Sequence, residues 1–274
     1  MTEPDTSAYK EAIAAVFTAT SASHDTVGTV FSHFGSLLAD RVDLQVGDRV
    51  LDVAAGTGAT LFPAARRIAG QGRVVAIDLA PGMVDQLSAA IAAGGLTNAE
   101  ALVADAEDLP FSDESFDAVL CGFALFFFPD TTRALREFRR VLRGAGRLAL
   151  STFTREGSAS IAGVWERLAP FVAPPQPLDD HLDFDEPAQL HEALEAAGFT
   201  DVVVEVSPFE LVLPDFDAWW AWILSMEFRL ELERLDETTL ERLRESARAE
   251  LTVHPSASEI RIRMDALLTL ARKP

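Results

Sequence analysis

The stretch Arg49-Val50-Leu51-Asp52-Val53-Ala54-Ala55-Gly56-Thr57-Gly58-Ala59 decides how this chain folds. Val50 to Val53 reads as a short buried strand that carries one acid, Asp52. Small residues follow through Gly58, and Leu61, Phe62, Ala65 and Ile68 then fall at helical spacing, which predicts a helix over 60–69. A buried strand, a glycine turn and a helix N-terminus together bring bare backbone N–H groups to one place, where a ligand can meet them.

Outward from that stretch the chain alternates. Strands are expected over Arg49–Val53, Arg73–Asp78, 99–104, Phe116–Gly122 and 146–153, with helices over 60–69, 82–93 and Thr131–Val141 between them. Runs such as Val74-Val75-Ala76-Ile77 are apolar on both faces, as strands of a parallel sheet covered by helices must be. Two amphipathic helices precede the core, one within 1–22 and one over 30–44. After Phe153 the rhythm breaks. Residues 154–185, with Pro170, Pro174, Pro175 and Pro177, read as a loop-like insertion around a short helix at 161–168. A helix over 187–197 closed by Gly198, a strand over 201–206, helices over 216–230 and Glu237–Leu251, and a final strand over 260–271 complete the chain. One domain is expected over residues 1–274. Its parts would be a helical cap at 1–44, a core at 45–154, lid or substrate insertions at 155–185 and 214–258, and a last strand at 259–274.

Composition narrows the partners. A net charge of −20 repels phosphate backbones, so neither nucleic acid nor an anionic membrane is expected to bind. No apolar run reaches the roughly 20 residues of a membrane span. The N-terminus lacks the cationic-then-apolar pattern of a secretion signal, and Cys121 is the single cysteine, which together make a cytoplasmic location the expectation and a cysteine-built metal site untenable. No metal is expected, and the chain is expected to act as a monomer or homodimer on a small molecule.

In a doubly wound sheet the ligand lies at the C-terminal ends of the strands. Acids stand there: Asp78 ends the second strand, about 20 residues past the glycine turn, where a carboxylate takes ribose hydroxyls, and Asp105-Ala106-Glu107 ends the third. The dinucleotide fingerprint needs a third small residue in G-x-G-x-x-G/A, and Leu61 occupies that place. Asp52 just ahead of the glycines would face a pyrophosphate with negative charge. A phosphate-binding Gly-Lys-Ser/Thr is missing. These residues suit a cationic, adenosine-bearing ligand, and S-adenosylmethionine, with its sulfonium and ammonium, is one.

The same segments resemble a known family. Val50-Leu51-Asp52-Val53-Ala54-Ala55-Gly56-Thr57-Gly58 is similar to the first motif of the class I S-adenosylmethionine-dependent methyltransferases, and Val75-Ala76-Ile77-Asp78-Leu79-Ala80-Pro81-Gly82-Met83 to the second. Ala104-Asp105-Ala106-Glu107-Asp108-Leu109-Pro110-Phe111 resembles the adenine-side loop, Phe116-Asp117-Ala118-Val119-Leu120-Cys121 the fourth-strand motif, and Val141 to Leu148 the turn into the fifth strand. The resemblance runs over residues 45–154 and is nearest to the ubiquinone/menaquinone-biosynthesis-like and natural-product tailoring subgroup. It implies an α/β, Rossmann-like doubly wound, mostly parallel seven-stranded sheet with N-terminal helices and inserted helical lid segments. It also implies residue roles. Asp52, with the backbone of Ala54, Gly56 and Gly58, would hold the methionine end. Asp78 would take the ribose hydroxyls, Leu79 and Met83 would flank the adenosine, and Asp105 with the Ala106 N–H would meet the adenine. Cys121 and Gly122 would floor the site near the sulfonium, with S-adenosylhomocysteine as product. The family's pocket aromatic near the N-terminal helix has no match, and His24 or Phe31 stands in that region.

Methyl transfer needs positioning more than acid–base help, so the missing catalytic dyad does not argue against an enzyme. An oxygen acceptor still gains from a base, and of His24, His33, His181, His191 and His254 the two in segments expected to fold over the cofactor are His24 and His181. Phe31, Phe123, Phe126, Trp219, Trp220 and Met226 are the candidates for an apolar acceptor pocket, although large apolar side chains are more often core. The function expected is methyl transfer to carbon or oxygen of a small, largely apolar or aromatic metabolite. A cyclase that retains the cofactor, a non-catalytic S-adenosylmethionine-binding protein and, least, a nicotinamide oxidoreductase are the alternatives.

Overall fold

The computed structural model describes residues 6–24, 29–168, 184–226, 229–251 and 259–274. In chain order the elements are α1 (Ser7–Thr20), α2 (Val30–Arg41), β1 (Arg49–Val53), α3 (Leu61–Ile68), β2 (Arg73–Asp78), α4 (Pro81–Ala93), β3 (Ala99–Val103) and β4 (Phe116–Gly122). They continue with α5 (Thr131–Val141), β5 (Leu142–Phe153), α6 (Arg155–Leu168), α7 (Pro187–Ala196), β6 (Thr200–Ser207), β7 (Glu210–Leu213), α8 (Phe216–Leu224), α9 (Arg229–Glu233), α10 (Glu237–Leu251), β8 (Ile260–Arg263) and β9 (Ala266–Arg272). None of the helices among the described residues is long and apolar enough to cross a membrane.

Seven strands form the main sheet in the order β3-β2-β1-β4-β5-β9-β6. The first five pair in parallel, and β9 runs antiparallel to both β5 and β6. Successive residues of a strand point to opposite faces, and here each face has its own core. Val50, Val74, Ala76, Ala118 and Leu120 pack under α2, α3 and α4, while Leu51, Val75, Val119 and Leu150 share a core with α5 and α7. Two-sided burial is why the central strands carry no polar alternation. At the bottom of the sheet Asp117, near the start of β4, accepts the Arg49 N–H at 2.8 Å and pairs with Arg143 at 2.6 Å, which ties β4 to β1 and β5.

Three expectations need correction. The single final strand over 260–271 is two strands in two sheets, for β8 pairs with β7 in a separate two-stranded ribbon while β9 enters the main sheet. The break falls at Met264-Asp265. There the buried Asp265 carboxylate accepts the Phe209 N–H at 3.1 Å, and the Met264 N–H donates to the Phe209 carbonyl. Only Ile260–Arg263 alternates; Ala266–Arg272 is an almost continuous apolar run buried on both faces, so the pattern changes where the chain changes sheets, and reading the whole segment by the alternation at its start hides the switch. Strand β7 escapes prediction for its shortness. Helix α6 spans Arg155–Leu168 rather than 161–168 alone, because its first turn is capped by the Thr154 hydroxyl, which accepts the Gly157 N–H at 2.9 Å. The helix expected over 216–230 stops at Leu224, and Arg229–Glu233 forms a separate turn of helix.

Helix α2 crosses the start of α3 at van der Waals distance. A Cβ on Gly35 would stand 2.3 Å from the Ala59 carbonyl oxygen, so only glycine lets the helix lie against the loop. Gly35→Ala is expected to lower the unfolding free energy by about 1–2 kcal/mol, the overpacking outweighing alanine's helix preference. Gly70→Ala, where a Cβ meets nothing within 4 Å, serves as the control in the same urea titration, and an unchanged midpoint in both would refute the close approach.

Candidate active site

The loop after β1 turns by left-handed backbone. Ala54 and Gly56 have φ of +52° and Gly58 +97°. At Gly58 space as well as conformation requires glycine, since a Cβ would stand 2.7 Å from both Leu87 and Phe62. Ala54 holds its left-handed conformation despite a Cβ, a strained arrangement of the kind found at functional sites. Phe123, at the tip of β4 next door, shares it with φ +52°.

One carboxylate sets the loop's position. Asp78 Oδ2 accepts the Gly56 N–H at 2.8 Å and Oδ1 accepts the Ala80 N–H at 2.9 Å, which ties the glycine turn to the start of α4. Burial raises the Asp78 pKa, and these two N–H groups act in the opposite direction. Asp52, 1% exposed, has neither oxygen hydrogen-bonded among the described residues. Its pKa rises well above the usual range, first through burial and then through Asp78, while the nearby Leu61 N–H opposes the rise without closing a hydrogen bond. On the third strand's loop Asp105 Oδ1 accepts the Glu107 N–H at 2.9 Å, and Lys10 reaches Asp105 at 2.7 Å and Glu107 at 2.5 Å.

These groups surround a cavity of about 450 Å³ at the strand tips. Its two ends differ in chemistry. Over β1, β2 and β3 stand Asp78, Asp105, Glu107 and Lys10, with Leu79 and Met83 beside them. Over β4 and β5 stand Phe123, Phe126, Phe153 and Met226, with Phe31 from α2 and Phe17 from α1. Phe123 meets Phe153 at 4.3 Å and Phe31 at 5.5 Å between ring centres. His24 lies between the ends, stacked on Phe31 at 5.5 Å and close to the space above Gly56. Its Nδ1 is buried without a partner among the described residues, and burial pushes its pKa down to about 4.

The wall contains Ala54, Gly56, Asp78, Leu79, Met83, Asp105, Ala106 and Gly122 from the expected cofactor set. It also contains His24, Phe31, Phe123, Phe126 and Met226 from the expected catalytic and substrate sets. Asp52, Gly58 and Cys121 lie behind the wall rather than in it, and burial, followed by Asp52, raises the Cys121 thiol pKa. Trp219 and Trp220 are also away from it, buried in the core against Phe216. His181 lies outside the described residues. Lys10, Phe17, Ser151 and Asp185 line the cavity without having been singled out by sequence. For Lys10 a signal existed, since it is one of two lysines in a chain whose cations are otherwise arginine. For Asp185 none did.

The acids fit a cationic ligand, and the volume lies within the range of small-molecule pockets, roughly 300–1,000 Å³. Comparison with known proteins decides the family. The model of the methyltransferase domain matches residues 50–146. Aklanonic acid methyltransferase DauC of Streptomyces sp. (strain C5) is 36% identical over 179 residues, covering 64% of this chain and 79% of that protein. Nocamycin O-methyltransferase of Saccharothrix syringae is 32% identical over 237 residues, covering 81% and 84%. The chain belongs to the class I S-adenosylmethionine-dependent methyltransferases. Among solved structures, the YcgJ protein of Bacillus subtilis superposes with a TM-score of 0.60 over 88% of this chain and 98% of its own, at 21% identity, which is a likeness of fold.

A histidine whose pKa falls from the ordinary 6.5 to about 4 leaves the folded chain with fewer protons than the unfolded one between those values. Its contribution to stability is therefore complete above pH 6.5 and lost as pH drops toward 4. The ring resonances of His24 are expected to titrate near pH 4, and His24→Phe to show a shallower loss of unfolding free energy between pH 6.5 and 4. A titration midpoint near 6.5 would contradict the burial of this ring.

Proposed function

We propose that this methyltransferase transfers the methyl group of S-adenosylmethionine to an oxygen or carbon of a small, largely apolar or aromatic metabolite, a natural-product intermediate. The observation that carries this reading is the division of one cavity into an acid-lined end and a phenylalanine-lined end that meet at Gly56, His24 and Gly122. A cation with a nucleoside belongs in the first, a flat apolar acceptor in the second.

In this reading the carboxylate of Asp78 keeps its two backbone N–H partners and uses its remaining lone pairs for the ribose hydroxyls. Leu79 and Met83 flank the adenosine, Asp105 accepts from the adenine amino group, and the Ala106 N–H serves the ring. The backbone of Ala54 and Gly56 holds the methionine end, and Gly122 leaves room beneath the sulfur. Asp52, Gly58 and Cys121 act from behind: Asp52 through its charge, the other two through packing.

When bound, the cofactor supplies a methyl on a cationic sulfur that departs as a neutral thioether. The chain's own contribution is to align the acceptor and exclude water, which is worth up to roughly 7–11 kcal/mol of barrier. His24 is neutral at pH 7 and directs a ring into the cavity, so it can accept a hydrogen bond from the acceptor. A base held near 4 is a poor proton sink at that pH, which favours acceptors that ionise easily. One relative is named for methylating an acid and another for methylating oxygen, and both fit such an acceptor.

Calorimetry is expected to show S-adenosylhomocysteine binding and NAD not binding. Asp78→Ala is expected to weaken S-adenosylhomocysteine more than about tenfold, since it removes charge-assisted hydrogen bonds and frees the glycine loop. Unchanged affinity would remove the ribose assignment. Turnover of an acceptor without transfer of labelled methyl would replace methyl transfer by a cyclase reading.

A further inference from the structure

Helix α1 is held over the acid end of the cavity at two points. At its C-terminal end it crosses α4 at Gly82, where a Cβ would stand 2.7 Å from the Thr18 carbonyl oxygen, and the Gly82 N–H reaches the Thr18 hydroxyl at 3.3 Å. Near its N-terminal end Lys10 bridges Asp105 and Glu107. The two acids are not equivalent. The Glu107 side chain is 3% exposed and its other oxygen accepts the Asp130 N–H at 2.8 Å, so it anchors the third-strand loop to the start of α5. The Asp105 side chain is 32% exposed and stands in the cavity wall.

Two carboxylates that converge on one point repel each other. The Lys10 ammonium offsets that repulsion, and with the Glu107 N–H on Oδ1 it fixes both oxygens of Asp105. Without the ammonium the more exposed carboxylate is the one free to swing into solvent, since Glu107 is pinned. We propose that Lys10 is a positioning residue for cofactor recognition, holding the Asp105 carboxylate against the wall of the cavity where it selects a base carrying an exocyclic amino group. The inference rests on the assignment of the adenine to Asp105 made above. Lys10 acts through Asp105, and the ammonium leaves lone pairs on that carboxylate for an amino donor while preventing its escape.

The discriminating measurement is the ratio of affinities for S-adenosylhomocysteine and S-inosylhomocysteine, whose ring carries an oxo group in place of the amino group. The wild type is expected to prefer the adenosine form. Lys10→Met is expected to reduce that preference about tenfold, the scale of one charge-assisted hydrogen bond, mainly by weakening the adenosine form. Lys10→Arg, which keeps the cation, is expected to restore most of it. A purely structural role for the clasp would weaken both ligands alike, so a wild-type ratio in Lys10→Met overturns the inference whatever the absolute affinities. If Lys10→Met does not fold by thermal melting, Lys10→Gln provides the same ratio. Failure of the wild type to bind S-adenosylhomocysteine would instead remove the underlying cofactor reading, an outcome distinct from an unmoved ratio.

Discussion

The arrangement depends on the parallel pairing of β1 with β2 on one side and β4 on the other. From β1 the chain winds outward through β2 to β3, then returns across β1 to add β4 and β5. The connections leave in opposite directions at that one place, so the tips of β1 and β4 are left uncovered by crossover helices. Ala54 and Phe123 stand there, both in left-handed conformation. The turn at Ala54 throws the glycine loop outward, and the turn at Phe123 puts a phenylalanine where the chain would otherwise continue its strand. A cavity follows from topology, and the residues at the tips decide its chemistry.

That chemistry is costly to the empty protein. Asp78, Asp105 and Glu107 line one end with the Lys10 ammonium among them, and Asp52 lies behind it, close enough to Asp78 for the two charges to repel. Burial raises the pKa of both Asp52 and Asp78, which says that each carboxylate is less favourable there than in water. Hydrogen bonds from Gly56 and Ala80 relieve Asp78, whereas Asp52 has only the start of α3 facing it. A stable empty fold would not collect acids in this way, but a site for a cationic ligand would, because the ligand's charge offsets the repulsion that the protein alone retains.

The residues made the fold and the acid-lined end of the cavity legible for one physical reason: both are set by local sequence. Two-sided burial writes itself as continuous apolar runs, and a left-handed turn between strand and helix writes itself as glycine. Asp78 and Asp105 were recognisable because strand ends are recognisable. What stayed hidden depends on contacts between distant segments. Lys10 is 95 residues from Asp105, and no spacing rule joins them. Asp185 reaches the cavity because the Phe184 carbonyl accepts the buried Thr152 hydroxyl at 2.7 Å, an anchor between segments 32 residues apart. Trp219 and Trp220 looked like pocket aromatics, but adjacency on a helix does not tell which side faces a cavity, and Phe216 holds both rings in the core. The split of β8 from β9 was legible in part, since the alternating Ile260–Arg263 gives way to the two-sided apolar run Ala266–Ala271, but the turn at Met264-Asp265 carries no glycine or proline to mark it.

The phenylalanine-lined end obeys a different logic from the acid-lined end. Its walls are phenylalanine rings whose attraction for a ligand follows area rather than direction, so many flat molecules of similar size would gain alike from filling it. Selection among them falls to the few polar atoms that interrupt the apolar wall. Ser151 Oγ and His24 Nδ1 are two such atoms, each buried and without a partner among the described residues. An unpaired buried donor or acceptor costs the protein roughly 1–3 kcal/mol, and a ligand that satisfies it recovers that amount while one that cannot does not. In the proposed reading the hydroxyl of Ser151 and the imidazole of His24 would orient an acceptor that the rings merely retain. Two orphaned atoms set in an apolar surface are a signal that only the folded chain brings together, and that is why aromatic residues along the chain announced a pocket without naming its occupant.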